Sequence, residues 1–253
     1  MIGHSRDQAV DLFVLEQVLI TPAGGKAWLN DAPKIPFDKY RFVRWRCWKE
    51  YGTGVGGDLM VHLISGMLYT WGINEAPRRA QATGGILRWK DGRNMPDVHT
   101  VLFEYGNVPV YIRLTLGAES PEVLRFMGSR GVLELGENGL SFTPQTGDDT
   151  GPSYYAYGFP EPLRSEYFNK WHQEHDPKPG QEPLTETVSC RGPSYDDTRP
   201  HLSRFFQAVR SRQGIVQDAL FGNHAALACH MANESYFRKT PVTLDPVAKS
   251  IKG

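Results

Sequence analysis

The stretch from residue 78 to residue 143 constrains the fold most, because its apolar residues recur with the period of a β-strand. Between residues 110 and 116 every second side chain is aliphatic, and the side chains between them are Tyr111, Arg113 and Thr115. This alternation predicts a strand with one buried and one polar face. Gly106-Asn107 separates it from an earlier run, as a hairpin turn would. Hairpin-linked strands predict a largely antiparallel sheet rather than a doubly wound one.

The remainder of the chain is predicted to supply helices and one irregular region. Residues 1–27 are predicted to be an N-terminal segment containing a helix, and residues 28–253 to be one domain. Inside this domain, residues 145–200 are rich in proline, glycine, aspartate and tyrosine, which predicts an irregular insert. Helices are predicted at about 58–69, after Pro200, and at about 218–237.

Charge and composition argue against several classes of partner. Lysine plus arginine number 28 and aspartate plus glutamate number 28, so the net charge is zero and nucleic-acid binding is not expected. No apolar run approaches the roughly 20 residues that a membrane-spanning helix needs. The three cysteines are far apart and fit neither a disulfide framework nor a zinc site. The N-terminal residues do not resemble a signal peptide, so we expect a cytoplasmic location.

The glycine run at residues 52–57 is the first candidate for chemistry. Gly52, Gly54 and Gly57 match the spacing of the dinucleotide-binding fingerprint. That fingerprint requires a buried strand before it and a βαβ unit around it, and the sequence predicts neither. We therefore interpret the run as a sharp turn into the helix that follows.

Asp58 and His62 are the second candidate. Residues four apart on a helix share one face, and a carboxylate beside an imidazole favours the protonated ring. Such a pair can take a proton from a substrate hydroxyl and return it. The alternative is structural, with Asp58 as a helix cap and His62 as a hydrogen-bonded core histidine.

A third group, Asp91 and Arg93, flanks a glycine turn. Asp-Gly is a strong turn signal, which favours a hairpin tip, while the functional interpretation places both side chains at a sugar-binding mouth. His172 and His175 match no standard zinc spacing, so no metal site is predicted.

The order of short motifs along the chain resembles the C-terminal domain of the Gfo/Idh/MocA oxidoreductases. The likeness covers about residues 28–246. Its motifs include Trp45 within an aromatic and basic run, the glycine run with Asp58 and His62, the Asp91-Gly92-Arg93 turn, Gly128-Ser129-Arg130-Gly131 and Ala232-Asn233-Glu234-Ser235-Tyr236.

This resemblance implies an α+β fold with an open-faced, mostly antiparallel β-sheet and helices packed on one side. It implies that Asp58 and His62 are catalytic, and it favours Asp91, Arg93 and Trp45 as substrate-binding residues. The substrate would be a sugar-like small molecule, and the bare sheet face would form a homo-oligomer. NAD or NADP is implied as cofactor.

The sequence also departs from the family pattern. No βαβαβ region is predicted, and no Glu-Lys-Pro segment supplies the family's catalytic lysine. We therefore expect this chain alone not to bind NAD(P), and a Rossmann-domain half in trans is a candidate partner. Two alternatives stay open. One is a non-catalytic sugar-binding or oligomer-scaffolding module, and the other is redox-assisted lyase or glycosidase chemistry.

Overall fold

The computed structural model describes residues 32–136, 139–145, 151–176, 186–192, 196–247 and 250–253. The predicted N-terminal segment, residues 1–27, lies outside the described residues. The chain divides into two compact units where the sequence predicted one domain. The first unit comprises the residues up to Glu119 together with those from Ala208 onward, and the second comprises Ser120–Gln207.

The strands of the described residues form two antiparallel sheets. The first unit contains a five-stranded sheet of order β3-β2-β1-β8-β9, and the second a four-stranded sheet of order β4-β5-β6-β7. The strands are β1 (Arg79–Gly85), β2 (Val98–Tyr105), β3 (Val108–Thr115), β4 (Val123–Gly128), β5 (Gly131–Gly136), β6 (Gly139–Pro144), β7 (Val188–Cys190), β8 (Val242–Asp245) and β9 (Ser250–Lys252).

Helices and strands form separate runs along the chain rather than alternating one by one. They are α1 (Lys39–Val43), α2 (Gly54–Asp58), α3 (Met60–Trp71), α4 (Leu163–His175), α5 (Thr198–Ser211) and α6 (Ala219–Arg238), with 3-10 helices at Trp45–Cys47 and Tyr154–Gly158. Runs of strands separate from runs of helices, and both sheets are open. The predicted α+β class with mostly antiparallel pairing is therefore confirmed.

Helix α6 covers one face of the first sheet. Its alanines at 225, 228 and 232 are buried and bring the helix close to β1, whose Ala80 is also fully buried. Ser235 fixes the contact, because its hydroxyl accepts a hydrogen bond from the Ala82 amide (2.9 Å) and donates one to the Thr240 carbonyl (2.7 Å). Val101 and Phe103 fill the same face from β2 and are completely buried.

The opposite face of this sheet is bare within the first unit. Tyr111 on β3 pairs with Leu102 on β2, and their side chains are 65% and 43% exposed. Arg113 is also exposed, while its neighbour Ile112 points into the core. The predicted hairpin and its two-residue alternation are confirmed.

The second unit is more regular than the sequence suggested. Helix α4 begins at Leu163, inside the predicted irregular insert. Its first amides bond back to the preceding prolines: Arg164 N to Pro160 O is 3.1 Å, and Glu166 N to Pro162 O is 3.0 Å. The proline-rich segment therefore leads into this helix rather than ending it. Strand β7 adds to the edge of the sheet from within the predicted irregular insert.

Candidate functional site

Close packing explains two of the glycines in the run at residues 52–57. Gly54 has a φ of +59°, and a Cβ atom there would lie 2.7 Å from the side chain of Met95. A Cβ atom on Gly56 would lie 2.6 Å from Oδ1 of Asn233 on α6. Asn233 is buried, and its Nδ2 donates to the carbonyl oxygen of Thr53 (2.9 Å). The glycines therefore let the backbone lie directly against α6. Gly54–Asp58 form the short helix α2, where the sequence predicted a sharp turn into the next helix.

Asp58 is the last residue of α2, and Leu59 separates it from α3. The predicted single helix is thus two helices, because the His62 amide bonds to the Leu59 carbonyl (3.1 Å) rather than to Asp58. The Asp58 carboxylate does not cap α3. Its Oδ2 lies 3.2 Å from Nε of Arg46, and both side chains are about two-fifths exposed.

His62 lies on the solvent side of α3. Met60 and Ile64, on either side of it, are completely buried, whereas His62 is exposed. The core-histidine alternative therefore does not describe this residue. The break at Leu59 alters the four-residue spacing, and no hydrogen bond or ion pair joins Asp58 to His62 among the described residues. The structure places both side chains at solvent but does not pair them.

Trp45 and Arg46 complete an exposed cluster with Asp58. Trp45, in the 3-10 helix, is 47% exposed, and the Arg46 guanidinium lies 5.3 Å from the centre of its ring. Arg46 was missed as a site residue. The alternation of aromatic and basic residues at 44–48 was the available signal, but nothing in the sequence links Arg46 to Asp58 twelve residues later.

Asp91 and Arg93 form an ion pair with little exposure. Their side chains are 18% and 7% exposed, and Nη2 of Arg93 lies 2.6 Å from Oδ2 of Asp91. The same oxygen accepts a hydrogen bond from the hydroxyl of Tyr40 (2.9 Å). Hydrogen bonds from Arg93 hold the pKa of Asp91 far below its usual range. The charges and hydrogen-bonding groups of Asp91 and Arg93 are therefore largely occupied by contacts within the protein.

The loop that carries this pair is bonded to the Trp45 segment. The Lys49 amide donates to Oδ1 of Asn94 (2.7 Å), and the Met95 amide donates to the carbonyl oxygen of Cys47 (3.2 Å). Asp91 and Arg93 therefore lie in a loop that is hydrogen-bonded to the residues just after Trp45 and Arg46. These hydrogen bonds connect the Asp91–Arg93 loop to the segment that carries Trp45.

The end of this loop is fixed by Asp97, which the sequence analysis did not select. Its carboxylate is buried and accepts three backbone hydrogen bonds, from the amides of Leu87 (2.8 Å), Arg88 (2.9 Å) and Trp89 (3.0 Å). Burial raises the pKa of Asp97, and these three bonds more than offset that effect, so the pKa is lowered.

Comparisons with known proteins bear on the fold. No protein-family model and no curated protein sequence matches this chain. Solved structures do match. One, assigned as an NADPH-dependent oxidoreductase from Desulfitobacterium hafniense, has a TM-score of 0.53 and 13% identity and covers 79% of this chain and 51% of its own. An NAD-binding protein from Listeria innocua has a TM-score of 0.49 and 16% identity, covering 84% and 56%.

The fold is that of the C-terminal portion of Gfo/Idh/MocA-type oxidoreductases. The chain spans about half the length of the solved structures that it matches. At these identities the likeness establishes the fold, and the Gfo/Idh/MocA resemblance seen in the motifs is confirmed at that level.

Metal-ligand clusters and membrane-spanning helices are both absent from the described part of the chain. The described residues contain no group of three or more histidine, cysteine, aspartate or glutamate side chains placed to hold a metal ion. In the same part of the chain, no helix has the length and apolar character needed to cross a membrane.

Proposed function

We propose that this chain is the substrate-binding half of an NAD(P)-dependent oxidoreductase that acts on a sugar or polyol. The observation that carries the proposal is the exposure of His62 on a helix whose neighbouring residues are buried, next in sequence to the exposed Trp45–Arg46–Asp58 cluster. The His62 imidazole is at solvent while Met60 and Ile64 of the same helix are buried, so the ring is available to a ligand.

In the proposed reaction, a hydride leaves the carbinol carbon with its electron pair, and a carbonyl group forms. NAD(P)⁺ from a Rossmann-domain half would accept that hydride. His62 takes the proton of the substrate hydroxyl, as a general base. Asp58, which its ion pair with Arg46 holds in place, orients the substrate hydroxyl.

The remaining predicted site residues take different roles in this proposal. The exposed ring of Trp45 offers a flat apolar surface to the C–H face of a sugar. For Asp91 and Arg93 we propose a positioning role, because their charges are already paired and Tyr40 occupies a further bond. They would act on substrate through the loop that supports Trp45.

Reconstitution tests the function. A Rossmann-domain half from an oxidoreductase of this fold, added in trans or fused to this chain, is expected to give NAD(P)H formation with at least one member of a sugar and polyol panel. The control is the Rossmann half alone, assayed at the same concentration. Equal rates with and without this chain would refute the proposal and favour the non-catalytic module.

The chain alone is expected not to bind the nucleotide. The glycine run is packed against Asn233 and Met95, and no strand of the described residues precedes it, so it offers no phosphate cradle. Titration calorimetry with NADH and NADPH is expected to show no saturable binding tighter than about 100 μM, roughly −5.5 kcal/mol. Tighter binding would contradict the assignment of the nucleotide to another half.

The bare sheet face is expected to mediate self-association. Exposed Leu102 and Tyr111 lie side by side on neighbouring strands, and an uncovered face of this kind is stabilised by pairing with a second copy. Light scattering at micromolar concentration is expected to show a dimer, and the double variant Leu102→Glu/Tyr111→Glu a monomer. Leu220→Glu, at an exposed position on α6, is the control and should remain dimeric. A monomeric starting protein would refute the prediction.

A further inference from the structure

The second unit carries a group of exposed tyrosines that the proposed function does not use. Tyr154, Tyr155 and Tyr157 lie in one 3-10 helix and are 84%, 83% and 61% exposed. Ala156, between them, is completely buried and anchors the turn. Phe159 packs edge-on against Tyr167 of α4 at 5.9 Å, and the Ser153 amide donates to the Tyr167 hydroxyl (3.1 Å). The turn is thus fixed while its tyrosines stay at solvent.

An open cavity lies between this turn and α4. It has a volume of about 610 Å³, within the range of about 300–1,000 Å³ for small-molecule sites. One wall is aromatic, since the rings of Tyr157 and Phe168 are 5.0 Å apart and tilted by 56°. The other wall is polar and contains Glu161, Arg164, Asn169 and His172.

The charges on the polar wall are neutralised locally. Arg164 binds Glu161 through both Nε (2.9 Å) and Nη2 (2.8 Å). Nδ1 of His172 lies 2.8 Å from Oδ1 of Asp176. An anionic ligand would have to compete with two carboxylates for these groups, so the cavity favours a neutral ligand.

Hydrogen-bonding capacity remains on this wall. The side-chain amide of Asn169 makes no hydrogen bond with any described residue, so both its donors and its acceptor are available. The Asp176 contact at Nδ1 of His172 leaves Nε2 as the other polar atom of the ring. A ligand that fits both walls needs one flat apolar face and several hydroxyl groups at its edge.

We propose that this cavity is a binding site for a neutral pyranose saccharide, with the sugar ring stacked on Tyr157 and its hydroxyls bonded to Asn169 and His172. This site lies wholly in the second unit. It does not depend on the proposed function, and binding here requires neither the nucleotide nor His62.

Titration of the full chain with cellobiose tests the proposal. Saturable binding in the range of about 0.1–5 mM is expected, consistent with an open site of modest burial. Tyr157→Ala is expected to weaken binding at least tenfold, and Tyr157→Phe, which keeps the ring, less than threefold. Tyr155→Ala is the matched control, because Tyr155 is an exposed tyrosine on the same turn but does not line the cavity.

An additional variant and an additional ligand in this titration distinguish other outcomes. Asn169→Ala, at an exposed position, is expected to weaken binding and provides a second test if Tyr157→Ala does not fold. Glucuronate is expected to bind more weakly than glucose, because the cavity offers no unpaired cation. Absence of saturable binding, an equal loss in Tyr155→Ala, or tighter binding of glucuronate would each overturn the proposal.

Discussion

Replacing His62 with alanine is expected to lower the turnover of the reconstituted oxidoreductase by about 10²–10⁴-fold, the usual contribution of a general acid or base. The side chain is exposed on the solvent side of α3, so its removal leaves no cavity. The melting temperature should therefore change little. Steady-state kinetics should show the loss mainly in kcat, because proton transfer occurs in the chemical step rather than in substrate binding.

The control for this substitution is His230→Ala, because His230 is also an exposed histidine on a helix of the first unit. It should retain full turnover. Asp58→Asn should lie between the two, since it breaks the ion pair with Arg46 that holds the substrate-orienting side chain but leaves the His62 base in place. Full turnover of His62→Ala would contradict the proposed role, and failure of this variant to fold would contradict its surface position.

Replacing Asp97 with alanine is expected to lower the free energy of unfolding by about 3 kcal/mol or more. The substitution removes three hydrogen bonds from the amides of Leu87, Arg88 and Trp89 to a buried carboxylate, and a hydrogen bond to a charged group contributes about 1.5–3 kcal/mol. Urea unfolding followed by fluorescence measures this change. The comparison is Asp218→Ala, which removes a single acceptor from the Phe221 amide (2.9 Å) at the start of α6 and should cost about 1 kcal/mol.

The contribution of Asp97 also has a defined pH dependence. Because its folded pKa is lowered, the stabilisation is fully present above the unfolded pKa of about 3.9 and is lost as the pH falls through the folded pKa. The difference in unfolding free energy between the unchanged protein and Asp97→Ala should therefore shrink below about pH 4. A difference that stays constant from neutral to acidic pH would show that the carboxylate charge does not carry the effect.

The Asp97 prediction concerns the loop from β1 to β2, which is hydrogen-bonded to the segment that carries Trp45. Asp97 fixes the loop end, the Asp91–Arg93 ion pair fixes its tip, and the backbone bonds at Asn94 and Met95 attach it to the Trp45 helix. If the loop positions Trp45 as proposed, Arg93→Ala should raise KM more than it lowers kcat. This follows because a misplaced Trp45 weakens substrate binding while the His62 base remains.

The sequence by itself determined the class of the fold and the strands of its hairpins. Alternation at residues 110–116 and the Gly106-Asn107 turn predict the β2–β3 pair, because side chains on successive residues of a strand point to opposite faces whatever surrounds them. The exposed Tyr111 follows from the same rule. The sequence also argued against a nucleotide fingerprint at the glycine run, since the buried strand that the fingerprint needs was not predicted, but it did not predict the short helix α2 there.

Only the tertiary structure decided how the site residues relate to one another. Four-residue spacing predicted that Asp58 faces His62, but the break at Leu59 ends one helix and begins another, and Asp58 instead pairs with Arg46. The close approach of Asn233 to Gly56 joins residues 177 positions apart, and the three amides held by Asp97 come from the other end of its loop. Such contacts depend on where separate segments meet in space, and local periodicity carries no information about that meeting.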